Sequence, residues 1–309
     1  MGASPQPPRE ALFLEGGNPT ASRRDRPEIG IIGGSGLYRF EGLTRVRSVE
    51  IDTPFGHPSD AVVTGHLAGT AVAFIPRHGL GHRLTPTEIP VRANIWALKS
   101  LGVRRVLSVS AVGSLREHIR PLDFLVPDQL IDRTRSRVST FFGDGIVAHV
   151  GLAHPFCPAL RGRLVQALGT TGAQTHSRGT YVVMEGPAFS TLAESRLYRD
   201  MGASVIGMTA LPEAKLAREA ELCYAVMAAV TDYDVWHPTE EAVSVEAVVA
   251  NLERNVDAAR RAIVDLLANR QPFAACDCAD ALRGAIITSP DRIPQRRRKE
   301  LALLIDRYL

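Results

Sequence analysis

Short apolar runs, most of them followed by glycine or polar residues, alternate with helix-like segments through most of this chain. The apolar runs predict strands at residues 28–32, 71–75, 106–110, 124–126, 181–184, 203–206 and 223–230. Segments with helical periodicity lie at residues 91–101, 158–168, 191–201, 212–221 and 244–267. This alternation is typical of a largely parallel sheet that is covered on both faces. The sequence therefore predicts an α/β protein whose binding edge lies at the carboxyl ends of the strands.

The length and punctuation of the chain predict one large domain with an extension at each end. The sequence has 309 residues, 45% of them hydrophobic and 22% charged, which is ample for a sizeable core. Residues 1–26 are rich in proline, arginine, glycine and small polar residues, so we expect a flexible extension there. The long helix over 244–267 closes the main domain, 27–268, and residues 269–309 form a C-terminal helical extension.

Charge and hydropathy exclude several classes of protein. The net charge is only +3, and no clustered basic face with interleaved aromatic residues is present, so nucleic acid is not an expected partner. We interpret the basic stretch 296–299 as the solvated start of a helix. No run approaches the roughly 20 apolar residues of a membrane span, and the N-terminus does not resemble a signal peptide. We therefore expect a cytoplasmic protein with no membrane partner.

The cysteine and histidine patterns do not predict a metal site. The four cysteines are Cys157, Cys223, Cys276 and Cys278. They form no C-x-x-C pair and have no companion at zinc spacing, so the expectation is buried free thiols and no metal. Cys276 and Cys278 are too close for an easy unstrained disulfide, although the pair is a candidate for redox lability. His78 and His82 have the helical spacing of a zinc pair, but two intervening glycines disfavour a helix.

Four turns that follow predicted strands carry donors suited to an anion. They are Gly33-Gly-Ser-Gly36, Arg77-His78-Gly79, Ser110-Ala-Val-Gly-Ser114 and Gly207-Met-Thr209. Glycine lets backbone N–H groups approach a ligand closely, hydroxyl groups add donors, and arginine suits phosphate. None has the spacing of a dinucleotide fingerprint or a P-loop. Their convergence on one sheet predicts a phosphate or a phosphorylated ligand.

A pair of acids ends the most strand-like run of the chain. Asp232 and Asp234 follow residues 223–230 and stand two positions apart. Side chains two positions apart on a strand share one face, so we expect both carboxylates to point the same way at the strand mouth. A turn cap, a metal ligand set and an acid/base pair all remain open for them at this point.

A set of motifs in fixed order gives the chain a family resemblance. The motifs are Ile29-Gly-Ile-Ile-Gly-Gly-Ser-Gly-Leu37, Asp52-Thr-Pro-Phe-Gly-His-Pro-Ser-Asp60, Arg77-His-Gly79, Ala93-Asn-Ile-Trp-Ala97, Ser110-Ala-Val-Gly-Ser-Leu115, Asp128-Gln-Leu-Ile-Asp132, Met184-Glu-Gly-Pro187 and Thr231-Asp-Tyr-Asp234. With them, residues 27–268 resemble the S-methyl-5'-thioadenosine phosphorylase family.

The resemblance implies a fold, a reaction and an assembly. The implied fold is the purine nucleoside phosphorylase type, an α/β fold whose mixed sheet forms a distorted barrel flanked by helices. The implied enzyme is a pentosyltransferase that converts S-methyl-5'-thioadenosine and phosphate into adenine and 5-methylthioribose 1-phosphate, a step of purine and methionine salvage. Phosphate is the co-substrate and no cofactor is expected. The implied assembly is a homotrimer or homohexamer.

The resemblance also assigns residues to the site. The implied phosphate-binding residues are Ser35, Arg77, His78, Ser110, Ala111 and Thr209. The implied substrate-binding residues are Met208, Phe189, Ser190, His82, Val245 and Val248. Met208 is placed at the ribose, Phe189 and Ser190 beside base and sugar, and the remaining three at the 5' group.

The resemblance gives the two acids a division of labour. An ionised carboxylate accepts from the N6 amino group of adenine, and a protonated one donates to N7. Asp232 is the expected proton source and Asp234 its assistant, with the reverse assignment open. The alternative on the same fold is a phosphorylase of 6-oxopurine nucleosides or methylthioinosine, where asparagine is the usual partner. A non-catalytic purine sensor is the alternative from another class.

Overall fold

The computed structural model describes residues 9–11, 26–34, 37, 40–237 and 245–309. Side chains are described for all of these except residues 9–11 and 245–247. The predicted flexible extension, residues 1–26, lies outside the described residues apart from 9–11 and 26.

The described residues form twelve strands and seven α-helices. The strands are β1 (Arg9–Ala11), β2 (Ile29–Gly33), β3 (Thr44–Glu50), β4 (Val62–Leu67), β5 (Thr70–Pro76), β6 (Arg105–Ser114), β7 (Phe124–Leu125), β8 (Gln129–Arg133), β9 (Thr175–His176), β10 (Thr180–Met184), β11 (Val205–Gly207) and β12 (Cys223–Asp232). The helices are α1 (Val91–Ser100), α2 (Pro158–Gly169), α3 (Leu192–Asp200), α4 (Ala210–Glu219), α5 (Val245–Ala268), α6 (Gln295–Glu300) and α7 (Ala302–Ile305).

Strand β6 is the branch point of one mixed sheet. It pairs in parallel with β2 and β12 and antiparallel with β11. On one side the order continues through β2, β5, β4, β3 and β1, and on the other through β11, β10 and β8. The strands β3, β4 and β5 are antiparallel neighbours, so the sheet is less uniformly parallel than the alternating pattern predicts. The mixed α/β fold implied by the resemblance is confirmed.

Two apolar layers cover the sheet. One contains Ile95 and Leu98 of α1 together with Leu216 of α4, and the other contains Leu164 of α2 and Ile263 of α5. Residues Tyr224 to Val230 of β12 are all buried, as expected of a strand enclosed on both faces. Within the part of the chain that is described, no helix combines the length and the apolar character needed to cross a membrane.

The elements missed by the sequence analysis are short or polar. Strand β3 has four exposed residues at its start, and β8 has no buried residue. Neither presents the apolar run on which the strand predictions rest. Pairing with a neighbouring strand holds them in the sheet, β3 with β4 and β8 with β10.

The C-terminal segment, residues 269–309, packs closely on the main domain. It contains two 3₁₀ helices, Asp277–Asp280 and Pro290–Arg292, followed by α6 and α7. The carbonyl groups of Asn269, Gln271 and Pro272 accept hydrogen bonds from the buried Arg163 of α2. Leu301 and Ile305 are fully buried.

The expectation of a wholly solvated basic stretch at 296–299 is wrong for one residue. Arg297 is 6% exposed, and its guanidinium donates to the carbonyl of Phe141 at 2.8 Å and to Glu300 at 2.6 Å. Arg296 and Arg298 beside it are exposed, because only one face of α6 meets the domain. Arg297 therefore anchors the C-terminal segment to the loop that contains Phe141.

We expect the substitution Arg297→Ala to lower the free energy of unfolding by about 1–3 kcal/mol, because it leaves the buried Phe141 carbonyl without this donor. The exposed neighbour provides the control, Arg298→Ala, which should change stability by less than about 0.5 kcal/mol. Urea unfolding at one fixed protein concentration measures both. Equal stabilities of the two variants would contradict the anchoring role of Arg297.

Candidate active site

Two hydroxyl groups meet where β6 and β11 lie side by side. Ser110 lies within β6, and Thr209 follows β11 as the residue before α4. Since β11 runs antiparallel to β6, the chain after β11 passes back along β6, and the two side-chain oxygens lie 2.8 Å apart. Ala111 is the next residue of β6 and is half-buried. The structure therefore brings together three of the six residues predicted to bind phosphate.

The end of β2 lies beside the start of the Arg77 turn. The backbone N–H of Arg77 donates to the carbonyl of Gly33 at 2.9 Å. Strands β2 and β5 are parallel neighbours, so their carboxyl ends meet at one edge. The predicted phosphate contact of Ser35 lies outside the described residues.

Arg77 is the centre of a buried polar network. Its side chain is 1% exposed, and its Nε donates to Glu213 at 2.6 Å. Its Nη1 donates to the carbonyl of Val109 at 2.8 Å, and its Nη2 donates to Ser108 Oγ at 2.6 Å. Burial alone lowers the pKa of Arg77, but the Glu213 carboxylate more than offsets this and raises it. Arg77 therefore carries a full positive charge inside the domain.

This geometry differs from the predicted one for Arg77. The sequence predicts that the guanidinium faces a phosphate, yet all three guanidinium nitrogens donate to protein acceptors. Glu213 on α4 is the physical reason, because its carboxylate pairs with the guanidinium of Arg77 and turns it away from the strand end, where a ligand would lie. The assignment of Arg77 to a phosphate site stays a prediction, and the observed contacts leave it the role of a buried charge.

His78 lies next to this charge and is neutral at pH 7. Burial, and then the positive charge of Arg77, lower the pKa of His78 to about 4. Its Nδ1 lies 2.9 Å from the carbonyl of Leu84, which can only accept, so Nδ1 carries the proton. The ring of His82 stacks on that of His78 with centroids 4.1 Å apart. The Nε2 atom of His78 is therefore an acceptor.

The two acids are adjacent, but not for the reason predicted from strand alternation. Strand β12 ends at Asp232, and Asp234 lies beyond it in a turn with a positive φ of 50°. The backbone N–H of Asp234 donates to Asp232 Oδ1 at 2.8 Å, which closes the turn. Asparagine and aspartate tolerate this left-handed conformation better than most residues. The turn, rather than the two-residue period of a strand, brings the carboxylates together.

Gly113 of β6 makes room for the acid pair. A Cβ atom on this glycine would lie 2.7 Å from Asp232 Oδ1 and 3.3 Å from the Cβ of Asp234. The pairing of β12 with β6 is shifted between Val230 and Asp232, which places Asp232 opposite Gly113. From the sequence alone, Gly113 is only part of an anion-compatible turn, because the pairing of β6 with β12 is not visible there.

Burial raises the pKa of both carboxyl groups. For Asp234, the charge of Asp232 adds to the effect of burial, while nearby hydroxyl groups, including that of Ser195, oppose it. Asp232 Oδ2 lies 2.6 Å from the hydroxyl of Thr231. Asp234 Oδ2 and Ser195 Oγ are buried and have no hydrogen-bond partner among the described residues. The site thus contains two protonatable acids and a buried acceptor oxygen that lies near hydroxyl groups without a well-formed hydrogen bond.

Met208 is held in place by residues that the sequence analysis missed. Arg137, whose side chain is 3% exposed, donates to the carbonyls of Met208 and Leu211 and to those of Met184 and Glu185. These hydrogen bonds tie the end of β10 to the turn after β11. Its Nε also lies 3.6 Å from the carboxylate of Glu185. No local pattern signals Arg137, because all of these partners are at least 47 positions away.

Gly186 packs against Met208. Gly186 has a positive φ of 66°, and a Cβ atom there would lie 2.5 Å from the Met208 sulfur, so a side chain would strain the backbone and displace Met208. Phe189 is 42% exposed, whereas Ser190 is buried and contacts the sulfur of Met184. Ser190 also lies near the acid pair, since its hydroxyl opposes the rise in the pKa of Asp234.

Helix α5 holds the end of β12. The side-chain amides of Asn251 and Asn255 donate to the carbonyls of Thr231 and Val230 at 2.7 and 3.0 Å. Val248 is half-buried one turn before Asn251, on the part of α5 that extends toward the strand mouth. The side chain of Val245 is outside the described residues. The two asparagines, four positions apart, are a signal that the sequence analysis overlooked.

Comparison with known proteins gives one consistent result. The model of the phosphorylase superfamily matches residues 28–268. An S-methyl-5'-thioadenosine phosphorylase of Thermosynechococcus vestitus is 56% identical over 286 residues, covering 91% of this chain and 99% of the relative. One of Geobacter sulfurreducens is 54% identical over 282 residues with the same coverage.

Solved structures agree with the sequence relatives. A methylthioadenosine phosphorylase from an antarctic soil metagenomic library has a TM-score of 0.85 and 52% identity, covering 91% of this chain and 99% of its own. The methylthioadenosine phosphorylase from Schistosoma mansoni in complex with adenine has a TM-score of 0.76 and 35% identity, covering 86% of this chain and 99% of its own.

We expect Glu213→Gln to lower the free energy of unfolding by about 3–5 kcal/mol, because it leaves the Arg77 charge buried without a carboxylate. The matched control is Glu219→Gln on the same helix. Glu219 accepts hydrogen bonds from Thr140 and from the backbone of Phe141, so its replacement leaves no buried cation without a partner. It should lower the free energy of unfolding by less than about 2 kcal/mol.

Urea unfolding at pH 7 and constant protein concentration gives both values. The pair Arg77→Met with Glu213→Leu should recover a large part of the loss seen in either single variant. Equal losses for Glu213→Gln and Glu219→Gln, or purely additive losses in the double variant, would refute the coupling.

Proposed function

The chain belongs to the S-methyl-5'-thioadenosine phosphorylase family, and on that premise we propose that it converts S-methyl-5'-thioadenosine and phosphate into adenine and 5-methylthioribose 1-phosphate. The C1'–N9 bond breaks, a bond between C1' and a phosphate oxygen forms, and a proton is delivered to the purine. The protein is a pentosyltransferase and a nucleoside phosphorylase. The comparisons with known proteins confirm the family resemblance seen in the motifs.

One observation carries the assignment of the site: the buried acid pair and the hydroxyl pair lie at two points of the same strand pair. Asp232 is opposite Gly113, and Ser110 stands three residues earlier on β6. Three residues of strand span about 10 Å, enough for a purine and its sugar to lie between an anion and a base-reading group. A nucleoside phosphorylase needs both ends of this arrangement.

The hydroxyl end is the proposed phosphate site. Ser110 and Thr209 supply hydroxyl donors, and we retain Ser35 and the backbone of Ala111 as predicted partners. The neutral His78 contributes an acceptor at Nε2, which suits the hydroxyl group of a hydrogen phosphate ion. Arg77 contributes positive charge from beneath the site. A nucleophile held in this way is positioned below C1' without losing its lone pairs to covalent chemistry.

The acid end is the proposed base site. Asp232 delivers a proton to N7, and Asp234 accepts from the N6 amino group. Burial raises the pKa of both carboxyl groups, which favours the protonated form that a donor to N7 needs, and the buried Oδ2 of Asp234 is an acceptor for an N–H donor from the base. A 6-oxopurine presents an acceptor at that position and would face this oxygen unfavourably.

The chemistry follows from the separation of the two ends. Protonation at N7 makes adenine a better leaving group as C1' gains oxocarbenium character, and phosphate attacks from the opposite face. Met208 packs the ribose, with Phe189 and Ser190 beside it. His82, Val245 and Val248 form the wall for the 5' group. An apolar wall favours a methylthio group over a hydroxyl, which would lose its hydrogen bonds there.

The assembly and location remain proposals. We propose a homotrimer or homohexamer in the cytoplasm that needs no cofactor for the reaction itself. Exposed apolar side chains on and beside α3, namely Phe189, Leu192, Leu197 and Met201, support a partner subunit near the site. Sedimentation of the purified chain measures the number of subunits.

The reaction is tested by a phosphate-dependent assay. Purified protein should release adenine from S-methyl-5'-thioadenosine in phosphate buffer and not in a phosphate-free buffer. Adenosine, inosine and methylthioinosine run in parallel, and we expect kcat/KM to be highest for S-methyl-5'-thioadenosine. Preference for methylthioinosine or inosine would establish the 6-oxopurine alternative, and binding without turnover would establish the sensor.

We expect Asp232→Asn to reduce kcat/KM for S-methyl-5'-thioadenosine by about 10²–10⁴-fold, the usual contribution of a general acid. The loss for methylthioinosine should be similar, because N7 is the proposed proton acceptor in both bases. In the parent enzyme, kcat should fall as pH rises through the raised pKa of the acid, since the proton is lost there. That alkaline decline should disappear in the variant. Asp200→Asn, at the exposed end of α3, is the control and should leave kcat/KM unchanged. A loss of less than about 10-fold in Asp232→Asn would assign the proton to Asp234.

A further inference from the structure

The four cysteines of the chain come together in one cluster. Cys157 lies directly before α2, Cys223 begins β12, and Cys276 and Cys278 flank Asp277 in the C-terminal segment. All four sulfur atoms lie within 4.8 Å of one another, and those of Cys223 and Cys276 are 3.5 Å apart. The cysteine spacing shows no zinc pattern, because the four cysteines come from three separate elements.

The size of the cluster matches a four-sulfur metal site. Zinc bound to cysteine has Zn–S distances of about 2.3 Å in a tetrahedron, which places the sulfurs about 3.8 Å from each other. The observed sulfur separations bracket that value. All four cysteines are free thiols, and each sulfur has three sulfur neighbours rather than one. Thiolates are soft ligands that favour zinc over magnesium or calcium.

Groups around the cluster are suited to compensating negative charge. The backbone N–H of Leu160, in the first turn of α2, donates to the sulfur of Cys157 at 3.5 Å. The guanidinium of Arg218 lies 3.9 Å from the sulfur of Cys278 and is fixed by a second hydrogen bond to the carbonyl of His154. Hydrogen bonds and charges of this kind orient and stabilise metal-bound thiolates.

The elements that carry the sulfurs are fixed by backbone hydrogen bonds. The N–H of Cys157 donates to the carbonyl of Tyr224 at 2.8 Å, and the N–H of Cys223 donates to the carbonyl of Arg104 at 3.0 Å. Cys157 and Cys278 are almost completely buried. The cluster is also separate from the acid pair, since eight residues of β12 lie between Cys223 and Asp232, which are about 30 Å of strand apart.

We propose that Cys157, Cys223, Cys276 and Cys278 bind one zinc ion as a structural tetrathiolate that fastens the C-terminal segment to α2 and β12. Binding breaks four S–H bonds, releases four protons and forms four Zn–S bonds, with no oxidation of sulfur. The site then carries a net charge of −2, which Arg218 and the N–H groups at the start of α2 partly offset. Two disulfides are the competing state, but they need an oxidant, and one of the three possible pairings also needs a strained bridge between Cys276 and Cys278.

The first test uses the untagged full-length chain purified without chelator. Elemental analysis should find one zinc ion per chain, and X-ray absorption should give four sulfur neighbours at about 2.3 Å. Intact mass after denaturation in chelator and alkylation should show four alkylated thiols. Absence of zinc after equilibration with a zinc salt, or a mass that corresponds to two disulfides, would overturn the proposal.

The second test compares Cys278→Ser with Ala275→Ser, an exposed neighbour that carries no sulfur. The cysteine variant should lose its zinc, and proteases should cleave residues 269–309 faster than in the parent, whereas the control should keep both properties. If Cys278→Ser does not fold, cobalt substitution in the parent still decides, because a tetrahedral cobalt tetrathiolate has intense visible and near-ultraviolet absorption. Retention of full zinc in Cys278→Ser, or octahedral cobalt spectra in the parent, would contradict the site.

Discussion

The buried ion pair between Arg77 and Glu213 is the interaction on which the rest of the structure depends. Arg77 follows β5, and its donors reach Val109 and Ser108 of β6. Glu213 belongs to α4 and also accepts from Tyr224 of β12. One pair of opposite charges therefore fixes two strand ends, a central strand and a helix relative to each other. The net contribution of a buried ion pair to stability is modest, but removal of either partner leaves an unpaired charge inside the domain.

The site is built from the register of β6 with its neighbours. Parallel pairing with β12 brings Asp232 to Gly113, and antiparallel pairing with β11 brings Thr209 to Ser110. A slip of one residue in either pairing would turn the side chains to the opposite face. The shift between Val230 and Asp232, the Asp234 turn and the two asparagines of α5 fix the end of β12. The distance between the two ends of the site is thus a property of the sheet rather than of flexible loops.

The sequence predicted what local patterns encode and missed what only the tertiary structure creates. The long apolar runs identified the buried strands, and the helical periods identified α1 to α5 to within a few residues. The exposed start of β3 and the polar β8 carry no such run. The contacts of Arg77 depend on a glutamate 136 positions away, and those of Arg137 on backbone carbonyls. Asp232 and Asp234 were correctly singled out, although the turn after the strand, not strand alternation, makes them neighbours.

Strand β12 joins the two chemically distinct regions of the molecule. Its first residue, Cys223, belongs to the sulfur cluster, and its last, Asp232, belongs to the acid pair. Eight buried residues lie between them, so the strand is held on both faces and shifts at one end are opposed by close packing. The zinc ion proposed at Cys223 joins the start of the strand to α2 and to the C-terminal segment, and the asparagines of α5 hold its end. Restraints at both ends of β12 therefore set the position of the acids. A zinc site about 30 Å away from them stabilises the domain without taking part in the reaction.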